Sequence, residues 1–126
     1  MVNVQCDNCH KIFQLNPDDI RSSVVMLSSG YADVHFFVCP TCETPTISGI
    51  MDSETTVMTN ELNSLKNRYG MYLKQGNKDA AQRMIALIEK RKNKLSEYVD
   101  ELIVEARQKL EVKVVYGNYV LVNKKQ

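Results

Sequence analysis

Val4-Gln5-Cys6-Asp7-Asn8-Cys9-His10-Lys11 and Phe36-Phe37-Val38-Cys39-Pro40-Thr41-Cys42-Glu43 are the two stretches from which the fold is read. Each carries a C-x2-C pair, and the 29 residues between Cys9 and Cys39 suffice for a small antiparallel sheet that brings the pairs together. Four thiolates at this spacing suit a tetrahedral structural metal site. Zn2+ is its default occupant, because it favours sulfur ligands and needs no open coordination position. Cys6, Cys9, Cys39 and Cys42 are therefore the expected ligands of one structural zinc.

Other readings of the cysteines leave more unexplained. Cys6-Asp7-Asn8-Cys9-His10 matches the c-type haem attachment pattern, but that leaves Cys39 and Cys42 idle. A dithiol redox motif belongs at a helix N-terminus in a βαβ unit, and no such unit is visible. His10 and His35 fall where strand residues would, and four cysteines already fill a tetrahedron.

Outward from the cysteines, residues 2–5 and 11–15 alternate as strands, and Asn16-Pro17-Asp18-Asp19 reads as a turn. Residues 22–28 and 33–38 read as two further strands joined around Ser28-Ser29-Gly30, the second delivering Cys39. A last strand is expected at 46–50. From Ser53 the apolar period changes to three and four. Met58, Leu62, Leu65 and Tyr69 stripe one helix, capped by Asp52 or Ser53 and ended by Gly76-Asn77. Met84, Leu87, Ile88, Leu95, Val99, Leu102, Ala106 and Leu110 stripe a second, running to about Glu111. Two stripes and one short turn predict a long antiparallel helical hairpin, with coiled-coil character. Residues 112–122 then predict a β-hairpin turning at Gly117-Asn118. The expected class is α+β, divided into a zinc ribbon (1–52), a helical hairpin (53–111) and a β-hairpin with a basic tail (112–126).

Charge is unevenly placed. Residues 1–52 hold 2 Lys+Arg against 6 Asp+Glu and residues 53–126 hold 14 against 9, so the formal +1 joins a net −4 half to a net +5 half. The best nucleic-acid candidate is the run Lys90, Arg91, Lys92 and Lys94, with Lys78 and Arg83 before it and Lys124 and Lys125 at the C-terminus. The ordinary reading of such a run is a solvated helix face, and the knuckle tips offer no cation or aromatic for phosphate or base. No apolar run reaches the roughly 18 to 20 residues of a membrane span. The N-terminus lacks the basic and apolar regions of a signal peptide, which predicts a cytoplasmic protein whose cysteines bind metal instead of forming disulfides. No acid/base pair, activated nucleophile or phosphate-cradling loop is visible, so no enzyme is expected.

The helices differ in length, about 22 against about 33 residues, which leaves roughly 15 Å of the second unmatched. Leu102, Ile103, Ala106 and Leu110 lie on that overhang. Either the ribbon and C-terminal hairpin cover them or a second copy does, and a homodimer through these four residues is the expectation.

The spacing of Cys6, Cys9, Cys39 and Cys42 resembles that of rubredoxins, which would make the chain an iron electron carrier. His10 and Glu43 stand where rubredoxins have Gly, and there is no Trp. The wider pattern adds Lys11, Phe13, Asp18-Asp19-Ile20 and a charged helical hairpin to the knuckles. It resembles the small zinc-ribbon proteins of bacteriophages and mobile elements of Gram-positive bacteria. That resemblance implies a cytoplasmic accessory protein, in the host cytoplasm if phage-encoded, that modulates a host or phage protein and could inhibit host defence. The expected function is a non-catalytic, zinc-stabilised protein-interaction module; the alternative is a nucleic-acid-binding transcription regulator.

Overall fold

A computed structural model describes residues 2–124; Lys125 and Gln126, the end of the expected basic tail, lie outside the described residues. The chain is α+β. Its elements in order are β1 (Val2–Gln5), β2 (Ile12–Leu15), a 3-10 turn (Pro17–Asp19), β3 (Arg21–Leu27), β4 (Gly30–Val38) and β5 (Pro45–Met51). There follow α1 (Ser53–Lys74), α2 (Lys78–Lys109), β6 (Leu110–Val115) and β7 (Asn118–Asn123).

The expected single N-terminal sheet is two sheets, a β1-β2 hairpin and an antiparallel β3-β4-β5 meander; β6-β7 forms a third. The break falls at Asn16-Pro17. Proline has no N–H to extend a ladder, and the Asn16 side chain accepts the Asp18 N–H at 3.1 Å, closing a local turn instead.

The chain folds as two compact units. One joins the residues up to Asp52 with those from Leu102 onward, and the other is Ser53–Glu101. Alternation builds the core of the first unit. In β4, Ala32, Val34 and Phe36 are buried while Tyr31, Asp33 and His35 are exposed. A register shift between His35 and Phe36 then turns Phe37 inward as well. Val25 and Leu27 of β3 and Ile50 of β5 complete that face. Phe37 meets Phe13 edge-on, with centroids 5.9 Å apart, and so joins the β1-β2 hairpin to the meander.

Beside the β3 edge runs β7, whose Leu121 N–H donates to Ser23 Oγ at 3.1 Å while Asn123 Nδ2 donates to the Met26 carbonyl at 3.0 Å. A free strand edge is thereby covered. Leu102, Ala106, Leu110 and Leu121 are buried in the same unit. The self-association expected through Leu102, Ile103, Ala106 and Leu110 thus loses its premise. The last turns of α2 belong to the unit that holds the sheets, three of the four side chains are at most 5% exposed, and Ile103 is half-buried.

In the second unit, Leu62, Ala80 and Ala81 are buried and Met58, Leu65, Tyr69, Met84, Ile88, Leu95 and Val99 are half-buried. Each helix buries one stripe, as its period requires. Gly76, at φ 72°, ends α1, and Asn77 Oδ1 accepts the Ala80 N–H at 3.2 Å to start α2.

Two boundaries differ from expectation. Leu110 and Glu111 open strand β6 instead of continuing α2, and the Lys109 carbonyl accepts the Lys124 N–H at 2.7 Å. The hairpin turns at Tyr116-Gly117, one residue earlier than Gly117-Asn118. Val115 pairs with Asn118, and both central residues have positive φ, 50° and 77°, as a primed two-residue turn needs.

Candidate metal centre

Both cysteine pairs sit at hairpin tips of the same construction. Gln5 pairs with Ile12 across β1-β2 and Val38 pairs with Pro45 across β4-β5, so each knuckle is a six-residue connection opened by its first cysteine. In the first, the Cys6 N–H donates to Lys11 O at 3.0 Å and the His10 N–H to Cys6 O at 3.0 Å. In the second, the Cys39 N–H donates to Thr44 O at 3.1 Å and the Glu43 N–H to Cys39 O at 2.9 Å. The two loops are one motif used twice.

This motif turns the residue after its second cysteine into the left-handed region. His10 has φ 60° and Glu43 φ 58°. Those are the positions at which rubredoxin-type knuckles carry glycine, and the backbone shows why glycine suits them: a Cβ there meets the following carbonyl oxygen. Asn8 Nδ2 donates to Thr44 Oγ1 at 3.2 Å and ties one loop to the other. Neither contact partner was marked by its type or spacing.

All four Sγ atoms lie within 4.8 Å of one another. Cys6 Sγ is 3.5 Å from Cys42 Sγ, and Cys9 Sγ is 3.7 Å from Cys39 Sγ. These distances exclude disulfides, whose sulfurs sit at about 2 Å. They approach the edge of about 3.8 Å that a tetrahedron with metal–sulfur bonds of about 2.3 Å requires. Cys6 and Cys39 are fully buried, Cys42 is half-buried and Cys9 is exposed. The Asn8 N–H points at Cys6 Sγ at 3.4 Å, a donor that moderates thiolate charge.

The sulfurs titrate apart. Hydrogen bonds from the Thr44 side chain and N–H, with lesser ones from Cys6 and Cys39, bring Cys42 down to about 6. The Cys42 and Thr41 N–H groups lower Cys39. The Lys11 N–H pulls Cys9 down too, but desolvation and the three neighbouring sulfurs outweigh it and push Cys9 up to about 11. Several thiolates at this separation repel, and a divalent cation among them removes the conflict. The four cysteines can hold a metal ion.

Neither histidine belongs to the cluster. His35 lies 3.8 Å from Asp33 on the exposed sheet face. Lys90, Arg91, Lys92 and Lys94 are exposed on α2, and Arg91 pairs with Glu61 of α1 at 3.3 Å. At about 100° per residue the four do not share one face, because Lys92 lies roughly 160° round the helix from both Lys90 and Lys94. One contact that the sequence did not announce joins the knuckle to α2: Arg107 donates to Asp7 at 2.9 Å. A cleft of about 540 Å³ beside it is lined by both residues and by Glu43, Ile47, Leu110 and Val112. No helix is long and apolar enough to cross a membrane. No known protein family, curated protein or solved structure matches the chain.

Proposed function

We propose that this protein is a zinc-stabilised, non-catalytic protein-interaction module in which a zinc ribbon carries the binding surface and is joined to an antiparallel helical hairpin. The observation that carries the reading is an apolar patch on the outward face of the meander. Val24 and Met26 of β3, Tyr31 of β4 and Met51 of β5 point to that face. Met26 stands opposite Tyr31, and Asp33 lies between Val24 and Met51. Val24 is 71% and Tyr31 72% exposed, and the other two are also solvent-facing. Single exposed apolar residues are common, but four gathered on one sheet face, a tyrosine among them, have the character of an interface.

A site closed by four cysteines, two of them fully buried, leaves no coordination position for substrate, which favours a structural metal over a catalytic one. Zinc fits that donor set best. The resemblance of the knuckles to phage zinc ribbons extends the proposal to an accessory protein that modulates a host or phage protein.

The test is co-purification from nuclease-treated lysate with wild type and with Val24→Asp/Tyr31→Asp. A protein retained by wild type and lost by the variant, at unchanged metal content and circular dichroism, is the expected result. Equal retention by both moves the interface off the sheet.

A further inference from the structure

Cations are segregated within the helical unit. Residues 64–94 contain nine Lys+Arg and two Asp+Glu, net +7, so the rest of the chain carries net −6. α1 supplies Lys66, Arg68 and Lys74. α2 supplies Lys78, Arg83, Lys90, Arg91, Lys92 and Lys94. All nine are exposed, and among the described residues only Arg91 is ion-paired, to Glu61. Acidic residues close the segment on both sides, Glu54 and Glu61 before it and Glu97, Asp100 and Glu101 after it. A net charge of this size on one short segment repels itself unless an anion neutralises it.

The side chains between the cations decide which anion. Asn67, Gln75, Gln82 and Asn93 are exposed amides, which donate to phosphate oxygens and resist entry into acyl chains. The exposed apolar residues form no common face. Met71 and Leu73 on α1, like Ile85 and Leu87 on α2, are two residues apart and therefore point about 160° away from each other. An amphipathic membrane-surface helix needs them together. By contrast Arg83, Lys90 and Lys94 fall within about 60° of arc over roughly 16 Å of α2, a row fitted to successive phosphates.

We propose that the row of Arg83, Lys90 and Lys94 on α2 binds the phosphate backbone of duplex nucleic acid, indifferent to base sequence. The surface offers cations and amides but, among the described residues of 64–94, no exposed aromatic side chain to stack on bases. Affinity then comes from release of the counterions that those phosphates hold. This inference stands apart from the protein-partner reading, which rests on the other compact unit.

The experiment is fluorescence anisotropy of the zinc-loaded full chain on a labelled duplex DNA two helical turns long, over a series of salt concentrations. A second duplex of scrambled sequence and vesicles containing phosphatidylglycerol complete the set. The expected result is equal affinity for both duplexes, with a slope of log affinity against log salt of about −3. Arg83→Gln/Lys90→Gln/Lys94→Gln should make that slope shallower by about 2 to 3, while Lys66→Gln/Arg68→Gln on α1 and Lys113→Gln leave it unchanged. Circular dichroism of each variant separates loss of charge from loss of fold. No duplex binding at low salt, a slope untouched by the triple substitution, or binding to vesicles alone overturns the proposal.

Discussion

Glu105, near the end of α2, receives two hydrogen bonds from Ser28 in the β3-β4 turn, one from its backbone N–H at 2.8 Å and one from its hydroxyl. Residues 77 apart in sequence are thereby clamped, and Lys109 adds a cation to the same carboxylate at 3.0 Å. The clamp fixes the end of α2 on the turn that shapes the meander.

The clamp makes stability depend on acid. Donation from the Ser28 side chain, then from its N–H and from Lys109, lowers the Glu105 pKa below its ordinary value. A carboxylate with a depressed folded pKa contributes stability that is complete above its unfolded pKa, about 4.3, and is lost as pH falls through the folded value. Glu105→Gln should cost about 1 to 3 kcal/mol at neutral pH and flatten the decline below about pH 4. Urea unfolding at several pH values checks both.

His10 and Glu43 hold left-handed backbone without the residue that prefers it. His10→Gly and Glu43→Gly remove the Cβ conflict and raise unfolded-chain entropy, so the net gain should be small, up to about 1 kcal/mol each. Thermal unfolding of the metal-loaded protein measures it. Destabilisation by either change would show that the side chain, through some contact of its own, matters more than the φ angle.

Leu102 is buried by its own chain, so its truncation should act on folding and not on assembly. Leu102→Ala should cost about 2 to 5 kcal/mol while the mass from light scattering stays that of wild type. A change of mass without loss of stability would restore the self-association surface.

Much of this was legible in the residues. Two C-x2-C pairs announced the cluster because metal ligation fixes spacing, and the switch from period two to three and four at Ser53 announced the helices because burial on one side fixes period. The run Val24-Val25-Met26-Leu27 was not decodable in the same way. Four apolar residues in succession do not say which pair faces inward, and only the pairing with β4 buries Val25 and Leu27 and leaves Val24 and Met26 outside. The hairpin turn slipped by one residue because Tyr116-Gly117 and Gly117-Asn118 both contain the glycine that a primed turn uses. The cover over Leu102, Ala106 and Leu110 depends on contacts far apart in sequence, which no local pattern carries.

The central claim is that one zinc on Cys6, Cys9, Cys39 and Cys42 holds the sheet-bearing unit together. Native mass spectrometry joined to hydrogen exchange, before and after a strong chelator, tests it most directly. The account predicts one zinc per chain. It also predicts that chelation, like Cys39→Ser, exposes the amides of β1, β2, β4 and β5 while those of α1 stay protected. A chain without zinc whose exchange is unchanged by the chelator would contradict it.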